Sequence, residues 1–263
     1  METIKHWTAK QAREAIRQKQ WTKQTSGIAT GFTQANLVVL PEKYAFDFLL
    51  FCFRNPKACP VLDVTEVGSS IPYKIAPQGD IKTDIPKYCV YEYGKFTEET
   101  DDISHLWSSD SVGFLIGCSF TFEHALLENN IPVRQIEENK NVPMFQTTIA
   151  CEKAGIFEGP LVVSMRPIPE KDVVRAVQIT TNFPSVHGAP VHIGDPASIG
   201  ITDINQPDYG DAVTVKEGEV PVFWACGVTP QAVAKQTKPE MMITHAPGHM
   251  FITDQKDTEY SIL

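Results

Sequence analysis

Val112-Gly113-Phe114-Leu115-Ile116-Gly117 runs at once into Cys118-Ser119 and then into FTFEHALLENN, residues 120 to 130. The first six residues are apolar or glycine, as in a buried strand. Phe122, Ala125 and Leu126 then recur at helical spacing until Ile131-Pro132 stops the pattern. The reading is strand, tight turn, helix. A second stretch repeats it. Pro221-Val222-Phe223-Trp224-Ala225-Cys226-Gly227 leads into Thr229-Pro230, an N-cap with proline at the first helical position, and then Gln231-Ala232-Val233-Ala234. In open α/β sheets ligands sit beyond the carboxyl ends of strands, where helix N-termini offer unpaired N–H groups to an anion. Both turns are therefore candidate walls of a site.

Outward from these junctions, helices and strands alternate. Thr8-Ala9-Lys10-Gln11 fits a capping box with Trp7 placed to staple onto Ala12, which predicts a helix over about 9–20. Phe46, Leu49, Leu50 and Phe53 mark the apolar face of a helix after Pro41 that ends at Asn55-Pro56. Short β-branched or aromatic runs at 60–67, 112–117, 161–168, 172–181 and 220–226 read as mostly buried strands. Neither a repeat nor a long linker divides the chain. Residues 1–263 read as one compact module, two-lobed at most, with a polar tail over 255–263 that reads as poorly ordered.

The chain has 263 residues, 42% hydrophobic and 21% charged, which suits a folded domain and not a disordered one. Its net charge of −9 gives no footprint for a polyanion, so nucleic acid and anionic membrane surfaces are excluded as partners. No apolar run approaches the roughly 20 residues that cross a bilayer. The polar, amphipathic N-terminus does not read as a secretory signal, so the expected compartment is the cytoplasm. Six cysteines without a C-x-x-C pair are expected to be reduced, mostly as small core residues.

Titratable chemistry concentrates in a few places. His187-Gly188-Ala189-Pro190-Val191-His192-Ile193-Gly194-Asp195-Pro196 places two imidazoles and a carboxylate in a shaped loop, suited to general acid–base work with Asp195 orienting a histidine. The competing reading is a turn-rich connection whose histidines cap carbonyls. His245-Ala246-Pro247-Gly248-His249 adds two more, but Pro247-Gly248 excludes the geometry of a zinc-binding helix. No metal site is assigned. Convergence of four histidines with Asp195 on a divalent ion is the minor alternative. Cys118 would be a nucleophile if the helix N-terminus lowered its pKa, and otherwise a buried hydrophobe. Ser119 reads as N-cap or hydroxyl ligand, and Glu123 as a base or as a complement to the helix dipole. Arg54, Arg134 and Arg166 stand beside prolines or strand ends, and a guanidinium fork suits a carboxylate. No phosphate loop, dinucleotide fingerprint or nucleophile elbow appears.

Taken together, Gly31 to Leu37 (GFTQANL), Arg54-Asn55-Pro56-Lys57, Asp80 to Pro86 (DIKTDIP), Phe114 to Phe120 (FLIGCSF), Asn141-Val142-Pro143-Met144, Val163-Ser164-Met165-Arg166-Pro167, HGAPVHIGDP, PVFWACGVTPQ and ITHAPGHMFITD resemble the bacterial hydro-lyase family related to D-glutamate cyclase. The resemblance spans about residues 8–254. It implies an α/β fold, a three-layer α/β/α sandwich with a smaller mixed α+β lobe. It also implies a carbon–oxygen lyase that eliminates water from a small carboxylic acid, such as one cyclising D-glutamate to 5-oxo-D-proline, with no cofactor. That reaction needs a base for the ammonium (His187 or His192), an acid for the departing oxygen (Glu123), turn N–H groups near Cys118 and Ser119 for an oxyanion, and Arg166 for a carboxylate. Asn36, Arg54, Cys226 and His245 complete the binding set drawn from these motifs. A homo-oligomer is compatible with this reading. Two other functions stay open: a cysteine-dependent amidohydrolase or acyl transferase using Cys118, and a non-catalytic carboxylate-binding protein.

Overall fold

A computed structural model describes residues 2–262. In chain order the elements are α1 (Glu2–Lys5), α2 (Ala9–Arg17), β1 (Phe32–Pro41), α3 (Glu42–Arg54), β2 (Val61–Val64), β3 (Tyr88–Glu92), β4 (Lys95–Thr100), β5 (Ser111–Gly117), α4 (Phe120–Glu128), α5 (Arg134–Glu137), β6 (Met144–Ala150), β7 (Pro160–Pro169), α6 (Val173–Thr181), β8 (His192–Ile193), β9 (Glu219–Ala225), α7 (Thr229–Thr237), β10 (Met241–His245) and β11 (Phe251–Lys256). Helices and strands mix as the sequence implies, and they form two sheets. The larger runs β2-β5-β1-β10-β3-β4, with β11 also on β1; the smaller runs β6-β7-β9-β8. All ladders between these strands are antiparallel. The site therefore cannot be placed by the carboxyl-edge rule, which belongs to parallel sheets.

Strand β1 is the axis of the larger sheet. One edge pairs with β5 from Ala35↔Gly117 to Pro41↔Ser111. The other edge is shared, with β10 opposite Val38 and Val39 and β11 opposite Phe32 to Ala35. Asn36 and Leu37 lie at that fork. Its apolar neighbours pack on both faces, Val38 and Leu40 with Phe48, Phe114 and Phe157 on one side, Leu37 and Val39 with Ile75, Ile81 and Tyr88 on the other.

Local signals explain most of the helices. Thr8 and Gln11 form the capping box of α2, and Trp7 meets Trp21 edge-on while sharing a cluster with Ala12. Helix α7 begins one residue earlier than its sequence suggests: Val228 is the N-cap, Pro230 follows in the first turn, and the Thr229 hydroxyl donates to the Cys226 carbonyl at 2.7 Å.

Three expectations are corrected. The 172–181 run is not a strand but helix α6, because Ala176 and Thr180, four residues apart, bury one face against the smaller sheet, with the Trp224 indole donating to Thr180 at 3.1 Å. In α3 the buried residues are Phe48, Phe51 and Cys52, while Phe46, Leu49 and Phe53 face outward. The tail from 255 is ordered through Tyr260, since β11 extends to Lys256 and Asp257 is buried with its carboxylate accepting from Thr33 at 3.0 Å.

Candidate functional site

The two strand–turn–helix junctions converge. Cys118, Ser119, Cys226, Gly227 and Val228 line one small cavity with Asn36, Asn141 and Gly248. At about 10 Å³ it has room for one water. Close backbone approach explains two glycines here. A Cβ on Gly227 would fall 2.0 Å from Asn36 Nδ2, and one on Gly117 would fall 2.4 Å from the Ser185 carbonyl. The Asn36 amide donates to the carbonyls of Gly117 (2.7 Å) and Ile116 (3.2 Å), tying the first turn to β1.

Neither cysteine of these turns is activated. Burial pushes the Cys118 thiol well above its ordinary range, with only partial relief from the Phe120 backbone N–H. Cys226 is pushed up to about 11 for the same reason, relieved by Val228 N–H. Both thiols are thus protonated. All six cysteines are free.

Behind the first turn lies a buried ion pair. Arg166 is fully buried on β7; its Nε donates to Glu123 Oε1 at 3.0 Å, its Nη1 to Ser164 at 3.0 Å and its Nη2 to Ser119 at 3.0 Å, with a further Nη2 contact to Glu123 Oε1. The guanidinium carbon sits 5.3 Å from the Phe122 ring and 5.5 Å from that of Trp224. Gln135 adds a third N–H group to Glu123 Oε1 at 2.7 Å. Ser119 occupies the N-cap position of α4 without a capping bond, because its hydroxyl serves Arg166 instead. Arg166 therefore holds Glu123, and its fork is not open to a substrate carboxylate. Burial raises the Glu123 pKa above the ordinary carboxylate value, opposed by the charge and N–H groups of Arg166 and by Gln135.

Among the described residues every donor reaches the same oxygen of Glu123, and Oε2 accepts no hydrogen bond from them. Glu123 also lines a second, larger cavity of about 370 Å³ between α4, the 26–34 segment and Asp257. That volume suits a small molecule. The 26–34 wall turns sharply through three left-handed residues, Gly27, Ala29 and Gly31. Phe120 borders both cavities. Sequence reading finds Glu123 but misses Gln34 and Asp257, whose surroundings only the fold creates.

The histidines that the sequence singles out, His187, His192 and His245, stand apart from this cavity. His192 pairs with Phe223 on β9, which also pairs with Met165, whereas Arg166 opposes Val222 and Ser164 opposes Trp224. Alternation along the strand thus puts His192 on the opposite face of the smaller sheet from Arg166. Its Nε2 meets the Asp195 carbonyl at 2.8 Å, and the Asp195 carboxylate caps Ala197 N–H at 3.0 Å, so the pair shapes a turn. His187 is buried behind Gly117, with Nδ1 donating to the Lys57 carbonyl at 2.7 Å. Burial lowers its pKa to about 4, which leaves it neutral near pH 7. His245 fills the fork beside β1, where Leu37 N–H donates to its Nδ1 at 3.1 Å, and burial likewise lowers it to about 4. Arg54 braces the 152–153 loop through the Lys153 carbonyl and Glu152 (3.5 Å). Among the described residues, no three His, Cys, Asp or Glu side chains gather as a metal site.

A family model described as D-glutamate cyclase matches residues 112–254, which carry both turns, Glu123, Arg166 and His245. The chain belongs to the D-glutamate cyclase family. Relatives named "Putative hydro-lyase" agree: the Geobacillus kaustophilus protein is 67% identical over 97% of both chains, and that of Thermoanaerobacter sp. is 65% identical over 94% of this chain and 93% of its own. The Bacillus subtilis protein YcsI, named likewise, is 59% identical over 97% of this chain and 99% of its own. Among solved structures, a nitrogen repressor-like protein from Methanococcus jannaschii aligns with 95% of this chain and 99% of its own at 12% identity and a TM-score of 0.38, a likeness that carries no argument.

Proposed function

We propose that this D-glutamate cyclase family member is a hydro-lyase that eliminates water from a small carboxylic acid, with cyclisation of D-glutamate to 5-oxo-D-proline as the specific reaction. The observation that supports it is the half-clamped Glu123, whose Oε1 takes three N–H groups from two residues while Oε2 is unengaged at the wall of a 370 Å³ cavity. In the cyclisation the amine attacks the γ-carboxyl carbon, a C–N bond forms and a C–O bond breaks. Two protons leave the ammonium, and both end on the departing oxygen as water. A carboxyl that accepts a proton at one oxygen and returns it nearby serves this transfer, and a pKa raised above the ordinary carboxylate value favours it. Arg166, Ser164 and Ser119 position that carboxyl and do not touch the substrate. The thiol-based alternative is disfavoured by the raised pKa of Cys118, which leaves no thiolate.

The test is incubation of the purified protein with D- and L-amino acids and hydroxy acids, read by mass spectrometry for loss of one water. D-glutamate should give 5-oxo-D-proline, and Glu123→Gln should lose about 100- to 10,000-fold in turnover. His192→Ala should retain it. Absence of water loss across the panel, or a Glu123→Gln enzyme as fast as the parent, overturns the reading.

A further inference from the structure

The 370 Å³ cavity presents more acceptors than its fold can satisfy. Gln34 lines it and is 6% exposed. The Gln34 Nε2 donates to the Thr25 carbonyl at 2.9 Å, which fixes the amide so that the oxygen is the atom left over, and that Oε1 is buried without a partner. Asp257, also on the wall, accepts from the Thr33 hydroxyl through Oδ1. Glu123 Oε2 is unengaged on the same wall. Three acceptor-bearing residues, Gln34, Asp257 and Glu123, line one space and call for a ligand with several N–H donors and a positive charge. The other charged residues on the wall are Lys5, which is exposed, and His124, which is half-buried and 3.3 Å from Glu128.

We infer that this cavity holds the ammonium group of an amino acid substrate, with Gln34 Oε1 and the Asp257 carboxylate as the residues that select an amine over a hydroxyl. The inference rests on the hydro-lyase reading for the word substrate, but the recognition itself is a matter of binding. A hydroxyl offers one donor to the three acceptors and brings no charge, so an amine is favoured wherever both acids have the same skeleton. Burial pushes the Asp257 carboxyl up to about 6, with Thr33, His124 and Lys256 pulling the other way. The carboxylate form prevails above that value, where the amine would be held. Gln34 and Asp257 both lie outside residues 112–254, so the selecting wall and the reacting pair come from different parts of the chain.

The experiment measures binding, by calorimetry on the whole chain, of matched pairs: D- and L-glutamate, D- and L-aspartate, each against the 2-hydroxy acid of the same skeleton. At least one amino acid should bind roughly tenfold or more tightly than its hydroxy partner. Asp257→Asn, which keeps the acceptor for Thr33, should abolish that preference. Failure of every amino acid to bind, equal binding of a hydroxy partner, or a preference that survives Asp257→Asn overturns the inference. Amine-selective binding without turnover would instead overturn the lyase reading and leave this one standing. Because a misfolded variant would also lose binding, Asp257→Asn is accepted only if its thermal unfolding is cooperative and its affinity for the hydroxy acid matches the parent's.

Discussion

Removing Arg166 isolates the energetic role of the buried pair. In Arg166→Met the apolar stem can still pack between Phe122 and Trp224, but Glu123, 4% exposed at its side chain, loses its counter-charge. Breaking a buried pair by removing one partner costs about 3–5 kcal/mol, because an uncompensated charge stays behind. At roughly 2–4 °C per kcal/mol for a chain of this size, the melting temperature should fall by about 6–20 °C. The pH dependence identifies the source. The folded pKa of Glu123 is already raised, and without Arg166 it rises further. A carboxyl whose folded pKa lies above its unfolded value contributes stability below the unfolded pKa and loses it as pH rises through the folded one. The deficit of Arg166→Met relative to the parent should therefore be largest at alkaline pH and shrink as pH falls and Glu123 takes up its own proton. Adding Glu123→Leu to Arg166→Met should recover much of the loss at neutral pH. Urea denaturation across the pH range measures all of this. A deficit under about 1 kcal/mol, or one that does not change with pH, would show that Arg166 does not hold Glu123 charged.

Two further outcomes probe the turns. Cys118 should resist alkylation in the folded protein, while all six thiols titrate in denaturant, and Cys118→Ala should keep most turnover; a thioester trapped on Cys118 would refute this. Gly227→Ala should destabilise by about 1–3 kcal/mol in thermal melts, because its Cβ displaces the Asn36 amide from the carbonyls of Gly117 and Ile116. Gly227 does not have a positive φ, so this loss is steric, and an unchanged melting temperature would show that the turn can shift away.

The two strand–turn–helix junctions were legible because local signals agree there: an apolar run, a glycine, then helical spacing. Their convergence on one cavity followed even though the sheets are antiparallel. Helix α6 reads as a strand in the sequence because Val173, Val174, Val177 and Ile179 favour strands locally, and only packing of Ala176 and Thr180 against Trp224 decides otherwise. Strand β1 is not legible in the sequence because Gln34 and Asn36 interrupt its apolar pattern, yet both are buried, one at the larger cavity and one at the fork. Histidines titrate near neutrality in water, so their positions in the sequence point to acid–base work. Burial removes that property from His187 and His245, and strand alternation turns His192 away. Glu123 and Arg166 stand out locally, at a helix start and a strand end, but Gln34 and Asp257 join Glu123 at one cavity only through the tertiary fold.

The arrangement around Glu123 is hard to explain by stability. A buried ion pair is seldom more stabilising than well-packed apolar residues of the same volume, since desolvating two charges offsets their attraction. The surroundings of Arg166, with Phe122 and Trp224 stacked near it, would suit a leucine or methionine. If the pair served only to fill this space, donors would be expected to divide between the two carboxylate oxygens, satisfying both. Instead Arg166 and Gln135 converge on Oε1, while Ser119 and Ser164 hold the rest of the guanidinium. The unengaged Oε2 keeps its acceptor capacity beside a cavity of ligand size. Energy is thus committed to fixing where one oxygen stands, which is what proton transfer at a defined atom requires.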